Sequence, residues 1–293
     1  MIFTVDMQKA ISMPLLTTKD YFFSRKLVLF NESFVPPGKN KEAVCAIWHE
    51  GESGRKAYNI ASTYIHFLRK YCRDLKSVTF FLDNCNAQNK NKILLSALIR
   101  VINDKMTNLE KITLEYFEPG HTFMAADAVH AAITKKFKSK GQIYDIDDFT
   151  NNIKSSRKNL QVDLLDHTQM IIFTNDSKAA LPKGYNIHNL KVIEFRRNEL
   201  TIFVKNDYNA DFKEISFLKK KIELELRKKL THGVTDLLEE IPKEAEPRGI
   251  SETKKRELLE LCKSMPETRR FFYENLSVSE SLDLDEHIDT DLI

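Results

Sequence analysis

The stretch VTFFLDNCNAQNKNK, residues 78–92, decides how this chain is read, because an apolar run breaks at Asp83 into a dense set of polar side chains. Val78 to Leu82 has the continuous apolar character of a strand buried on both faces. A carboxylate at the end of such a strand stands at the carboxyl edge of its sheet, where open α/β folds place their ligands. Asp83 is therefore a candidate metal ligand. Two further aspartates fall where partners are needed: IFTVDMQ, residues 2–8, is a short strand ending in Asp6, and FEPGHTFMAADAVHAAITKKF, residues 117–137, sets Asp127 where a helix should begin. An aspartate at a helix start is ordinarily a cap or a dipole partner. Taken alone, each of the three reads as structural.

The order of elements changes that reading. Residues 2–6, 21–30 and 43–49 read as strands, the second and third with the aromatic and β-branched content of a meander. Ala57, Ile60, Ala61, Tyr64, Ile65 and Leu68 then repeat with the period of one helical face. After the Asp83 strand, Leu94, Ala97, Leu98 and Val101 form a second helical stripe, Ile112 to Phe117 another strand, and Val129, Ala132, Ile133 and Lys136 a last helix. The string βββαβαβα predicts an α/β fold, a five-stranded mixed sheet flanked by helices, with the three aspartates at its carboxyl edge.

That succession resembles the ribonuclease H-like fold, in which acidic residues at the end of the first strand, at the end of the fourth and on a late helix hold two divalent cations. Asp6, Asp83 and Asp127 stand at those places. The residues DNCNAQNKN and GHTFMAADAVH also resemble a transposase-derived family of animal mobile elements, whose sequences carry D-N-C-x-x-Q-N-K-N at a strand end, then G-H-T and an aspartate. The likeness is strong over the first half and weaker through RGISETKKRELLELCKSMPETRRFFYENL, residues 248–276. It implies that Asp6, Asp83 and Asp127 are the catalytic and metal-binding residues, with two Mg2+ or Mn2+ ions, for cleavage or strand transfer on DNA.

The chemistry explains such a triad. Magnesium takes oxygen ligands and keeps several waters, so two or three carboxylates leave positions open for phosphate oxygens. Two ions about 4 Å apart activate the attacking oxygen and stabilise the leaving one. No Ser or Cys arrangement argues for a nucleophilic side chain, and Cys85 reads as packing or turn chemistry. Two other readings compete: a domesticated, inactive nucleic-acid- or protein-binding module, and an unrelated α/β domain whose aspartates are caps.

Around the triad, the amides of Asn84, Gln88 and Asn89, with Lys90, are candidates for phosphate and base contacts or for orienting metal waters. Equally, Asn-rich segments make Asx-turns and caps. His121 is a candidate phosphate contact, against a loop histidine bonded to backbone. His130, one turn after Asp127, reads as a neighbour rather than a ligand. Glu50 and Glu52, in WHEGESG, offer a fourth carboxylate, although a solvated loop is the preferred reading; Trp48 reads as core.

Composition sets the frame. With 293 residues, 42% apolar and 30% charged, the chain can bury one large core or a core plus a smaller module. There is no run of about 18 apolar residues and no cleavable signal, so neither membrane insertion nor secretion is expected. Four cysteines without metal spacing imply free thiols in a reducing compartment, and an intracellular, nuclear setting is expected. The net charge of +3 is small, so its distribution matters more. Lys135, Lys136, Lys138 and Lys140 follow the Asp127 helix and are the expected phosphate contacts; LKKKIELELRKKL, residues 218–230, reads as either a second patch or a solvated helix face.

The expected organisation is a ribonuclease H-like core over residues 1–140, an α+β module over 141–276 and an acidic tail over 277–293. The module's expected elements are a helix over 145–157, a strand over 169–174, a hairpin turning near Asn198 and a helix over 251–263. The tail, without Lys or Arg, reads as a disordered or partner-binding segment. Only five residues precede Asp6, so a truncated or domesticated core without an amino-terminal DNA-recognition domain is expected. Nucleic acid is the expected partner, DNA before RNA; a homo-oligomer and a protein partner for the tail remain open.

Overall fold

The computed structural model describes residues 1–279 except 19–20, 22, 86–87, 119–122, 174–180, 183–184 and 235. His121 and most of the acidic tail lie outside the described residues. Among the described residues ten strands form a single mixed sheet, where the element string predicts five. In chain order they are β1 (Ile2–Met7), β2 (Ile11–Met13), β3 (Leu27–Val35), β4 (Ala43–His49), β5 (Ser77–Leu82), β6 (Lys111–Tyr116), β7 (Leu160–Leu164), β8 (Val192–Arg196), β9 (Ile202–Lys205) and β10 (Lys213–Ile215). The spatial order is β10-β9-β8-β6-β5-β1-β3-β4-β7, with β2 on β3.

At the centre, β1 runs antiparallel to β3 and β3 to β4, whereas β1 is parallel to β5 and β5 to β6. β7 joins β4 in parallel, while β8 to β10 extend the opposite edge as antiparallel strands. The β8–β9 hairpin turns through Asn198, whose φ of 69° suits the left-handed tolerance of Asn. Segments beyond Gly141 thus contribute strands to both sides of the same sheet.

Helices cover both faces, because each strand carries apolar side chains in two directions. On one face α1 (Ala57–Tyr71) and α2 (Lys92–Asn103) pack over Phe3, Val5, Phe30, Phe34, Val78 and Phe80. Phe34 stacks on Phe67 at 4.1 Å, and Tyr64 and Phe80 meet the pair edge-on. The fully buried Trp48 belongs to this core, with its indole N–H donated to the carbonyl of Gly54. The other face holds α3 (Ala125–Lys140), α4 (Ile146–Lys154), α6 (Glu252–Cys262) and α7 (Phe271–Glu274) over Leu27, Leu29, Val35, Cys45 and Ile47; α5 (Lys220–Thr231) lies with the first core through Ile222 and Leu226.

Two strands differ from expectation. The second begins at Leu27 rather than Tyr21, and Phe23 is exposed. Instead of the strand expected over 169–174, whose last residue lies outside the described ones, His167–Gln169 is a single 3-10 turn, because Asp166 caps it and the Gln169 side chain reaches back to the Asp166 N–H; among the described residues of that stretch only Ile171 bridges, to Lys243. The expected helices at 145–157 and 251–263 form, capped by the side chains of Asp145 and Ser251. No helix among the described residues is long and apolar enough to cross a membrane. All four cysteines are free thiols.

Candidate metal centre

The parallel register of β1 and β5 pairs Val5 with Leu82, so the next step sets Asp6 beside Asp83 at the carboxyl edge. Asp6 alternates with Phe3, Val5 and Met7 of the first core and so faces the other side of the sheet, where His130 of α3 lies 3.7 Å from it. The start of that helix is fastened to β1 by the Ala126 N–H, which donates to the Thr4 hydroxyl at 3.1 Å. Within its first turn Asp127 accepts the Met124 N–H at 2.7 Å, which occupies one oxygen and leaves the other to offer. β1 and α3 thus bring Asp6 and Asp127 together, with Asp83 at the end of the strand beside Asp6.

The Asp6 carboxyl feels the charge of both other aspartates. Burial pushes the Asp6 carboxyl up to about 7, and the charges of Asp83 and Asp127 push in the same direction. Asp6, Asp127 and His130 each offer a ligand atom within 4.8 Å of the others, and this group could hold a metal ion. Asp83 is not one of those three. His130, read from the sequence as a neighbour, thus belongs to the site: its Nδ1 stands 3.7 Å from Asp6 Oδ2, and burial lowers its pKa to about 4 against the pull of Asp127. A ring that is neutral at physiological pH can ligate a cation.

Asp83 is held by its own loop. Its Oδ1 accepts the Cys85 N–H at 3.1 Å and the Asn89 side-chain amide at 2.5 Å. Asn89 is 1% exposed, accepts the Tyr64 hydroxyl on its side chain and the Tyr116 hydroxyl on its carbonyl. Lys90 is 3% exposed, donates to the His188 carbonyl at 3.1 Å and lies over the Tyr116 ring; burial, with Lys191 nearby, lowers its pKa to about 8. Both side chains are thus engaged with the protein itself. Asn84 is bonded to the Phe117 carbonyl, while Gln88 is half-buried and its carbonyl accepts the Asn91 amide. Of the lysines after Asp127, Lys135, Lys138 and Lys140 are exposed and Lys136 half-buried; none makes an ion pair among the described residues.

Glu50 and Glu52 are not a solvated loop. Glu50 forms a buried ion pair with Lys254 at 2.6 Å and accepts the Val28 N–H, so it clamps α6 to the sheet. Glu52 accepts from the ring and main chain of His167. A carboxylate missed in the sequence is Glu32, in the middle of β3 and 1% exposed, whose Oε2 has no hydrogen-bond partner. Burial raises its pKa well above the usual range, and Asp6 and Asp83 add to the shift. An acid inside LVLFNESFV was the available signal.

The fold and site together define a mixed α/β protein with an acidic, histidine-containing cluster at the carboxyl edge of its sheet. A family model described as Domain of unknown function (DUF7869) matches residues 59–206, half of the chain, and the chain belongs to that family. The match includes Asp83, Asp127 and His130 and stops short of Asp6. No curated protein and no solved structure matches the chain.

Proposed function

We propose that this chain is a ribonuclease H-like, transposase-derived core that cuts or transfers phosphodiesters in DNA with divalent cations. The observation that supports the reading is the convergence of Asp6, Asp83 and Asp127 from β1, β5 and α3. The sense of the strands adds support: β1, β3 and β4 antiparallel in succession, then β5 and β6 parallel to β1, with a helix after β6 bearing the last aspartate.

The residues fit such ions. Asp6 carries a raised pKa because two like charges and burial oppose its ionisation, and cations remove that opposition. Asp6 is coupled to both Asp83 and Asp127 and is the carboxylate placed to be shared. When bound, a pair of divalent ions supplies Lewis-acid activation of water or a 3′ hydroxyl and stabilises the leaving oxygen. The chain's own part is orientation: Asn89 and the Cys85 N–H fix the Asp83 carboxylate, and the Met124 N–H fixes that of Asp127. Lys135, Lys136, Lys138 and Lys140 begin about 12 Å along the helix from Asp127, within the span of a few nucleotides of a bound strand.

The test is a cleavage assay on single- and double-stranded DNA with and without Mg2+ or Mn2+, comparing the wild type with Asp83→Asn. Divalent-dependent cleavage that disappears in the nearly isosteric variant, with its unfolding transition kept, is the expected result. Cleavage that persists in Asp83→Asn, or in the presence of chelator, removes the triad from the reaction.

A further inference from the structure

Four polar groups around His130 form a closed ring of hydrogen bonds. His130 Nε2 lies 3.1 Å from the Ser33 hydroxyl, which donates to Asn31 Oδ1 at 3.2 Å; the Asn31 amide donates to Gln8 Oε1 at 2.9 Å, and Gln8 donates back to the His130 carbonyl at 3.5 Å. Ser33, Asn31 and Gln8 are 0, 1 and 7% exposed, so water does not substitute for any of these bonds. Asn31 and Ser33 take β3 positions on the face that otherwise carries Leu27, Leu29 and Val35, so the ring costs apolar contacts on that strand. Its direction is informative.

Ser33 has one hydrogen and three neighbours: Asn31 Oδ1 at 3.2 Å can only accept it, whereas the Cys45 thiol at 3.5 Å and the His130 ring at 3.1 Å can each donate to the hydroxyl oxygen. The arrangement that satisfies all three has the ring proton on Nε2 and a lone pair on Nδ1. Nδ1 is the atom 3.7 Å from Asp6 Oδ2. Asp6, Asp127 and His130 thus turn acceptors towards one another, an arrangement that a shared cation relieves and that, without one, is relieved by a proton on Asp6. Two ligand atoms each about 2.1 Å from one ion lie at most about 4.2 Å apart, and the Asp6 to His130 distance falls within that limit.

We propose that His130 Nδ1 is an inner ligand that completes, with Asp6 and Asp127, a site of two oxygens and one nitrogen preferring a divalent transition-metal ion to Mg2+, with Ser33, Asn31 and Gln8 as its positioning residues. The proposal rests on the reading that the aspartate cluster holds divalent cations, and it goes further in naming the ligand and the class of ion. Mg2+ is selected by oxygen donors, whereas an imidazole shifts the preference towards first-row transition ions. A ligating histidine characteristically donates its other N–H to a fixed acceptor, and loss of that acceptor costs about 10- to 100-fold in affinity.

The experiment measures Mn2+ and Mg2+ binding to the full chain by calorimetry, and nitrogen coupling to bound Mn2+ by pulsed electron paramagnetic resonance. The wild type should bind Mn2+ more tightly than Mg2+ and show coupling to an imidazole nitrogen. His130→Ala should abolish the coupling and lower Mn2+ affinity about 10-fold or more, while Mg2+ affinity changes less. Ser33→Ala should lower Mn2+ affinity as well, with a cooperative unfolding transition retained; the wild-type spectrum decides the case if that variant does not fold. Bound Mn2+ without nitrogen coupling, or unchanged affinity in His130→Ala while Asp127→Asn abolishes binding, overturns the histidine and leaves the carboxylate site standing. If the wild type binds neither ion, both readings fall.

Discussion

Replacing Asp6 with Asn should stabilise the metal-free protein, and the gain should depend on pH in one direction. In the unfolded chain this carboxyl titrates at its ordinary value of 3.8; in the fold, burial and the charges of Asp83 and Asp127 hold it at about 7. A carboxyl raised on folding contributes stability that is fully present below 3.8 and is lost as pH rises through about 7. At about 1.4 kcal/mol for each pH unit between those values, the loss approaches about 4 kcal/mol by pH 8, an upper limit because the site can relax. Asn is neutral throughout and loses nothing. Urea unfolding in the presence of chelator from pH 4.5 to 8.5 should therefore show Asp6→Asn and wild type nearly equal at the acid end, and the variant more stable by a few kcal/mol at pH 8. Divalent cations should reverse the order, because they stabilise only the wild-type carboxylate. A stability difference that is flat across this range would mean that Asp6 ionises in the fold as it does in the unfolded chain.

Other expectations follow from named contacts. Lys254→Met leaves Glu50, 4% exposed, without its ion-pair partner and should cost about 3–5 kcal/mol in chemical denaturation. Substituting Lys135, Lys136, Lys138 and Lys140 together by Gln should reduce the slope of log affinity against log salt for DNA by up to about 3–4, as measured by fluorescence anisotropy; an unchanged slope assigns these lysines to an ordinary solvated face.

The placement of the three aspartates at element ends was legible because each element's period is plain: VTFFL and IFTV are apolar runs stopped by a carboxylate, and Asp127 precedes a helical stripe. What surrounds them was not. Glu32, Asn31 and Ser33 lie in β3, where an isolated polar residue looks like the solvent side of an alternating strand, yet all three are buried. Their partners, Gln8 and His130, are 23 and 97 residues away, beyond any local pattern. The Asn-rich loop misled in the opposite direction: its polarity suggests exposure, but Asn89 and Lys90 satisfy buried groups of Asp83, Tyr116 and His188. The attachment of β7 beside β4 and of β8 beside β6 is likewise a matter of long-range pairing, which strand propensity does not encode. For Glu50, a loop carboxylate beside Gly gives no sign of the lysine two hundred residues on that neutralises it.

Whether Asp6, Asp83 and Asp127 share divalent cations at the carboxyl edge of the sheet is read directly by anomalous X-ray scattering at the manganese edge from crystals of the full chain grown with Mn2+. The expected result is a peak bounded by Asp6 and Asp127 with Asp83 on the adjoining strand. Crystals in which Mn2+ scatters only elsewhere, or in which these three carboxylates remain without an ion at saturating Mn2+, would contradict it.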